Sequence, residues 1–325
     1  MILAGDIGGT KTNLAVYAAD TELNVPIIEE CFHSQRYDSF LALLKDFFTN
    51  NAVQIQKACF GVAGPVINGR CSTSNISWVV DEKEIRETFN IPQVKILNDL
   101  ESMGYGTLLL KDNDLKIINP GSPVEHGNIA VIAAGTGLGE AFLVWGNGRY
   151  RVIASEGGHT DFGPRNALEI ELLKFLLNEF EHVSYERIVS GIGLKNIYQF
   201  LKHHQNYQEP AWLTERFARE DPNVVISESG LASRDPICEQ TLQMFMSIYG
   251  AEAGNLALKV MSTGGIFIGG GIAPKILPAF NNGEFLNALF GKGRLSKVIT
   301  KMPVKIILNE KTALLGAAHF AQSYF

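Results

Sequence analysis

Gly5-Asp6-Ile7-Gly8-Gly9-Thr10 follows the apolar run Ile2-Leu3-Ala4 and leads into Asn13-Leu14-Ala15-Val16-Tyr17. Apolar run, glycine turn and apolar run together spell a β-hairpin. An acid at the end of a strand, two glycines and a threonine offer backbone N–H groups and a hydroxyl to phosphate oxygens. The Asp6 carboxylate suits Mg2+, directly or through water. The pattern returns about 128 residues later, where residues 129–133 enter Ala134-Gly135-Thr136-Gly137-Leu138-Gly139 and residues 140–145 leave it. A plan found twice suggests a duplicated domain. A third cluster, Gly269-Gly270-Gly271, closes the apolar run that begins at Gly265, and a flat ring could lie against its backbone. Three glycine clusters suggest one shared ligand, although three unrelated tight turns would read the same way.

These motifs sit in a chain of 325 residues, for which two domains with a core each are expected. The chain carries 28 basic and 34 acidic residues, a net charge of −6, which excludes a nucleic acid or an anionic membrane surface as its main partner. Hydrophobic residues at 46% and charged ones at 19% describe a folded chain rather than a disordered one. No apolar run approaches the roughly 20 residues of a membrane span. The start puts Asp6 and glycines where a signal peptide needs a basic end and an apolar stretch. Cys31, Cys59, Cys71 and Cys238 fit neither a disulfide framework nor a zinc site. A soluble, reduced, cytoplasmic protein is expected.

Between the hairpins, Phe40, Leu41, Leu43, Leu44, Phe47 and Phe48 have helical spacing, and residues 58–62 and 94–97 are strand-like. Asp81 and Glu84 form a helix-capping pair. Residues 167–180 and 239–261 have helical periodicity, and residues 312–319 form a small-residue helix suited to close packing. Strands alternating with helices make the fold class α/β. The expected division is a small α/β domain of residues 1–108 plus 299–325 and a large α/β domain of residues 109–298.

The chain lacks a Walker phosphate loop, and Gly135, Gly137 and Gly139 close one residue too early for a dinucleotide fingerprint. With those set aside, two hairpin nests and a third glycine turn resemble the actin, Hsp70 and sugar-kinase ATPase fold. That ribonuclease H-like architecture implies two domains around a central cleft. A polar set completes the pattern: Asn98-Asp99 at a strand end, Glu156-Gly157-Gly158-His159 with Asp161, and His182-Val183-Ser184 with Glu186-Arg187. In this order, over nearly the whole chain, the motifs resemble the bacterial glucokinase family in its zinc-free branch, outside the repressor/ORF/kinase group.

The resemblance implies phosphorylation of D-glucose by ATP with Mg2+, and a homodimer. It implies Asp99 as general base, and Asn98, Asp99, Glu156, His159 and Glu186 as sugar-binding residues. It further implies nucleotide contacts from Gly5, Asp6, Ile7, Gly8, Gly9, Thr10, Gly135, Thr136, Gly137 and Gly270, with Asp6 toward the metal. Taken singly, the residues leave alternatives: Asn98-Asp99 as a strand-end turn, His159 as a structural histidine, Glu186 as a surface ion pair with Arg187. His182, His203, His204, His319 and the cysteines read as structural or surface residues, and Asp161 as support for its loop. Lys11 stands where many members of the branch carry another polar residue. The zinc-binding Cys-x-Cys-Gly cluster of the repressor/ORF/kinase relatives is missing, and no helix-turn-helix segment is expected. Residues 199–235 suggest no function. A kinase for another hexose, a sugar-responsive ATP-binding regulator without turnover, and a filament-forming ATPase are the competing functions. The intact Asn98-Asp99 pair speaks against the regulator, and the Glu156/His159 pair against the filament.

Overall fold

The computed structural model describes residues 1–19, 23, 25–73 and 76–325. It divides into two compact units: Met1–Asp114 with Tyr150–Ala154 and Asn309–Phe325, and Leu115–Arg149 with Ser155–Leu308.

In the first unit a five-stranded sheet runs in the order Ile28–His33, Lys11–Tyr17, Ile2–Ile7, Lys57–Val62, Gln93–Asn98. The first two junctions are antiparallel and the last two parallel. Alternating apolar residues put Leu3, Leu14, Phe60 and Ile96 into one core. The helix Phe40–Asn50 starts where Ser39 Oγ accepts the Ala42 N–H, and it buries Phe40, Leu43, Leu44 and Phe47 at the spacing of one helix face. Asp81 caps the helix Glu82–Phe89 by accepting from the N–H groups of Lys83 and Glu84.

The terminal helix Thr312–Ser323 packs on the helix Asp99–Thr107 almost backbone to backbone. A Cβ on Gly316 would come within 1.7 Å of the Ser102 carbonyl oxygen, and one on Gly106 within 2.0 Å of the Thr312 carbonyl oxygen. Ser102 Oγ donates to the Ala313 carbonyl at 2.8 Å. The small residues of 312–319 therefore do what their sizes suggested: they seat the last helix against the one that opens with Asp99.

In the second unit, five strands run in the order Leu138–Gly146, Ile129–Ala134, Gly265–Gly269, Val304–Ile307, Leu115–Asn119. The two inner junctions are parallel and the two outer ones antiparallel. Each sheet thus contains a glycine-turn hairpin whose first strand pairs in parallel with a later strand, the repeated plan expected from the sequence. The helix Pro236–Val260, longer than its periodicity suggested at its start, begins where Asp235 accepts from Ile237 and Cys238 N–H groups. It is buried along most of its length.

The expected boundary at 299 is corrected by pairing. Val304–Ile307 runs parallel to Gly265–Gly269 inside the second sheet, so the chain returns to the first unit only at Asn309. Residues Tyr150–Ala154 also belong to the first unit, where Tyr324 Oη donates to the Tyr150 carbonyl at 2.6 Å. Among the described residues no helix is long and apolar enough to cross a membrane.

Candidate active site

In the first unit the hairpin closes with Ile7 opposite Thr12, and Gly8 N–H donates to the Lys11 carbonyl at 3.0 Å. Behind it, Ser34 Oγ donates to the Gly8 carbonyl at 2.7 Å and lies 3.0 Å from Thr12 Oγ1, which fixes the turn from below. Gly5 and Ile7 are buried in the strand; Gly5 is small because a Cβ there would come within 2.6 Å of the Phe60 ring. Gly8 and Gly9, both half-buried, and the exposed Thr10 form the tip.

Asp6 is half-buried at the end of its strand. Burial, followed by the nearby Asp99 carboxylate, pushes its pKa up to about 6, and a hydrogen bond with Asn13 opposes the rise. A carboxylate destabilised in this way gains from a divalent cation beside it, so the residues fit Mg2+. Among the described residues no cluster of three or more His, Cys, Asp or Glu is placed to cage an ion.

Asn98 is the last residue of its strand and the N-cap of the helix Asp99–Thr107. Its Oδ1 accepts from Leu100 and Glu101 N–H groups at 2.9 and 3.3 Å, and its Nδ2 donates to the Gly64 carbonyl at 3.1 Å. Asp99 follows as the first helical residue, half-buried, with its Oδ1 accepting the Leu100 N–H at 2.9 Å. The positive end of the helix favours the ionised carboxylate there. The strand-end turn is thus built by Asn98, whose cap also fixes the start of the helix that carries Asp99.

In the second unit the hairpin of residues 135–139 closes with Gly135 N–H donating to the Gly137 carbonyl at 2.8 Å. Glu186 is anchored on it: its Oε2 accepts the Leu138 N–H at 2.9 Å, and a Cβ on Gly137 would come within 2.4 Å of the same oxygen. His159, in the short turn Gly157–His159, places Nδ1 3.9 Å from Glu186 Oε1 and Nε2 3.9 Å from Glu156 Oε2. Three residues singled out in the sequence therefore converge beside the second glycine hairpin. Glu186 is no ion-pair partner of Arg187, whose guanidinium stacks over Phe180 at 4.3 Å. Two carboxylates and an imidazole facing one another supply the acceptors and donors that a polyol requires. Asp161 and His182, read as supporting residues, lie 2.8 Å apart.

The same hairpin borders a cavity of about 490 Å³, lined by Gly135, Thr136, Ile192, Asn223, Gly271 and Lys275 among others. Gly271 rather than Gly270 lines it. Gly270 has φ +83° and is pressed against the strand, where a Cβ would meet the Ala134 carbonyl oxygen at 2.2 Å. Asp221, Asn223, Val224 and Ser227 were missed in the sequence; they lie within the segment 199–235, which has no glycine signature of its own. The helix Pro222–Leu231, capped by Asp221, carries three of them into the wall.

A family model described as Glucokinase matches residues 3–324. The glucokinase of Nostoc punctiforme is 41% identical over 98% of both chains. The crystal structure of glucokinase from an Antarctic psychrotroph superposes with a TM-score of 0.86 at 30% identity, covering 98% of both chains. A ROK family glucokinase from Streptomyces griseus, solved with glucose and AMPPNP, shares the fold at a TM-score of 0.65 and 20% identity, covering 99% of both chains. The architecture is the actin-like ATPase fold.

Proposed function

This chain belongs to the glucokinase family, and on that premise we propose that it transfers the γ-phosphoryl group of ATP to the 6-hydroxyl of D-glucose, with Asp99 as general base. The observation that carries the proposal is the convergence of Glu156, His159 and Glu186 beside the glycine hairpin at 135–139, which also borders the cavity.

Phosphoryl transfer asks a protein mainly to position groups and to neutralise charge. The hairpins at 5–10 and 135–139 hold the phosphates, and the cavity bounded by Asn223, Gly271 and Lys275 takes the nucleoside. Asp6 would hold Mg2+, which would supply charge neutralisation of the polyphosphate. Glu156, His159 and the Oε1 of Glu186 hold sugar hydroxyls. Asn98 uses one Nδ2 hydrogen on Gly64, and the second serves the sugar. Asp99, at the first turn of its helix, orients the 6-hydroxyl and takes its proton as the oxygen attacks phosphorus; such a role accelerates transfer by about 10²–10⁴-fold. A cytoplasmic homodimer belongs to the same proposal, and light scattering on the purified protein tests the dimer.

ADP release is to be measured with Mg-ATP and, in parallel, glucose, mannose, fructose or no sugar. Release that depends on glucose, with glucose 6-phosphate as product, is expected. Release indifferent to every sugar would overturn the proposal.

A further inference from the structure

Beneath the turn that carries Glu156 and His159 lies a buried acid that the chemistry above does not use. Glu140, in the strand that leaves the second glycine hairpin, is 1% exposed, and Glu252, in the middle of the helix Pro236–Val260, is fully buried. Their carboxyl groups are within hydrogen-bonding reach of each other. The Oε1 atom of each has no hydrogen-bond partner among the described residues. Two carboxylates present only acceptors, so one proton between them supplies the missing donor.

The surroundings decide which acid carries it. Glu252 faces donors: Asn255 Nδ2 at 2.8 Å, the Tyr185 hydroxyl, and Lys259 Nζ at 3.6 Å. Glu140 instead faces the backbone of Gly157, so closely that a Cβ there would come within 1.9 Å of its Oε2. The proton therefore sits on Glu140, whose O–H donates to Glu252.

The pair also reaches both sugar-holding segments. Glu140 packs under Gly157, next to Glu156 and two residues before His159. Tyr185, hydrogen-bonded to Asn255 at 3.1 Å and to Glu252, immediately precedes Glu186. We infer that Glu140 and Glu252 share one proton and act as a positioning pair for the sugar subsite, so that charging Glu140 displaces the 156–159 turn and weakens sugar binding. The inference rests on the sugar-binding role proposed for Glu156, His159 and Glu186.

Burial and the Glu252 carboxylate push Glu140 up to about 8. One pH unit higher, about a tenth of the molecules keep Glu140 neutral, and apparent affinity falls about tenfold if only that form binds well. Other ionisable groups face the network. Lys259 pairs with Glu252, and the buried Tyr249 hydroxyl feels Glu140. Lys292 donates to the Ala251 carbonyl and Asn255 Oδ1, and burial with the nearby Arg165 lowers it to about 8. Lys292 thus titrates in the same range, and a Glu140 variant separates the two.

The test is a calorimetric glucose titration from pH 6 to pH 9 on the full chain and on Glu140→Gln and Glu252→Gln. Infrared spectra of each protein without sugar accompany it. The parent should bind about tenfold more weakly at pH 9 than at pH 7 and lose a protonated-carboxyl band over the same interval. Glu140→Gln should lose both the band and the pH dependence. Glu252→Gln should move the break to lower pH, because Glu140 then ionises without a charged neighbour. A parent without the band, or a Glu140→Gln affinity that falls with pH as the parent's does, would overturn the inference. The band depends on no ligand. A parent that keeps it at pH 7 yet binds no glucose at any pH would instead refute the sugar assignment, and the positioning role with it.

Discussion

Of two adjacent glycines, one should tolerate an added methyl group and the other should not. Gly270 has φ +83°, and a Cβ there would lie 2.2 Å from the Ala134 carbonyl oxygen and 2.8 Å from its nitrogen. The left-handed backbone alone costs a non-glycine residue about 1–2 kcal/mol. The contact adds an overpacking term of about 1–3 kcal/mol, because Ala134 is held opposite Leu138 and accepts the Ile272 N–H, and cannot retreat without opening the hairpin. Gly270→Ala should therefore lose roughly 2–5 kcal/mol and melt roughly 5–15 °C lower in the second unit, with weaker ATP binding as the hairpin shifts. At Gly271 a Cβ meets nothing within 4 Å, and Gly271→Ala should melt within about a degree or two of the parent. Gly271→Leu should also fold, but fill the cavity wall and weaken ATP while sparing glucose. Calorimetric melting and isothermal titration with ATP read all three. If Gly270→Ala melted and bound ATP like the parent, the close backbone approach at the base of the hairpin would be refuted.

Glu156→Gln and His159→Ala should raise the KM for glucose, each removing a hydrogen bond to the bound sugar at about 1–3 kcal/mol, with ATP affinity nearly unchanged; a loss confined to ATP would mean the wrong ligand. Asp6→Asn should raise the Mg2+ concentration for half-maximal turnover by about tenfold or more, roughly the 1–2 kcal/mol of one charge-assisted ligand contact, with the glucose KM little altered. Glu140 is raised from 4.5 to about 8, so between these values the folded chain holds a proton that the unfolded chain releases. Stability should then fall as pH rises through that window, by at most about 1.4 kcal/mol per pH unit from this group, and level off above it. Denaturant titrations at pH 5, 7 and 9 check the slope, which Glu140→Gln should reduce.

Residues whose chemistry is local were legible in the sequence. The two hairpins announce themselves because tight turns with open backbone N–H groups need glycines in a row, and Asn98-Asp99 because a strand must end where a helix begins. What was hidden depends on contacts between distant segments. Glu252 lies in a mostly buried helix, and nothing in its own neighbourhood points to Glu140. The cavity wall at Asp221, Asn223 and Ser227 is helix surface that borders a cavity only because Gly135 and Gly271 face it. The return of the chain at Asn309 was displaced because the short strand Val304–Ile307 is recognisable only by its partner, Gly265–Gly269. At Asn98 the sequence suggested a sugar ligand but not the cap that fixes the helix of Asp99.

Asp99 is proposed to remove the proton from the attacking sugar hydroxyl. Its most direct test is the rate of glucose 6-phosphate formation by Asp99→Asn at saturating glucose and Mg-ATP, with the binding of both substrates checked by calorimetry. Asparagine preserves shape and can still accept the Leu100 N–H, so the variant should fold and bind. A fall in kcat of at least about two orders of magnitude is expected, with both affinities kept. Turnover within a few-fold of the parent would contradict it and return the search for a base to Asp6.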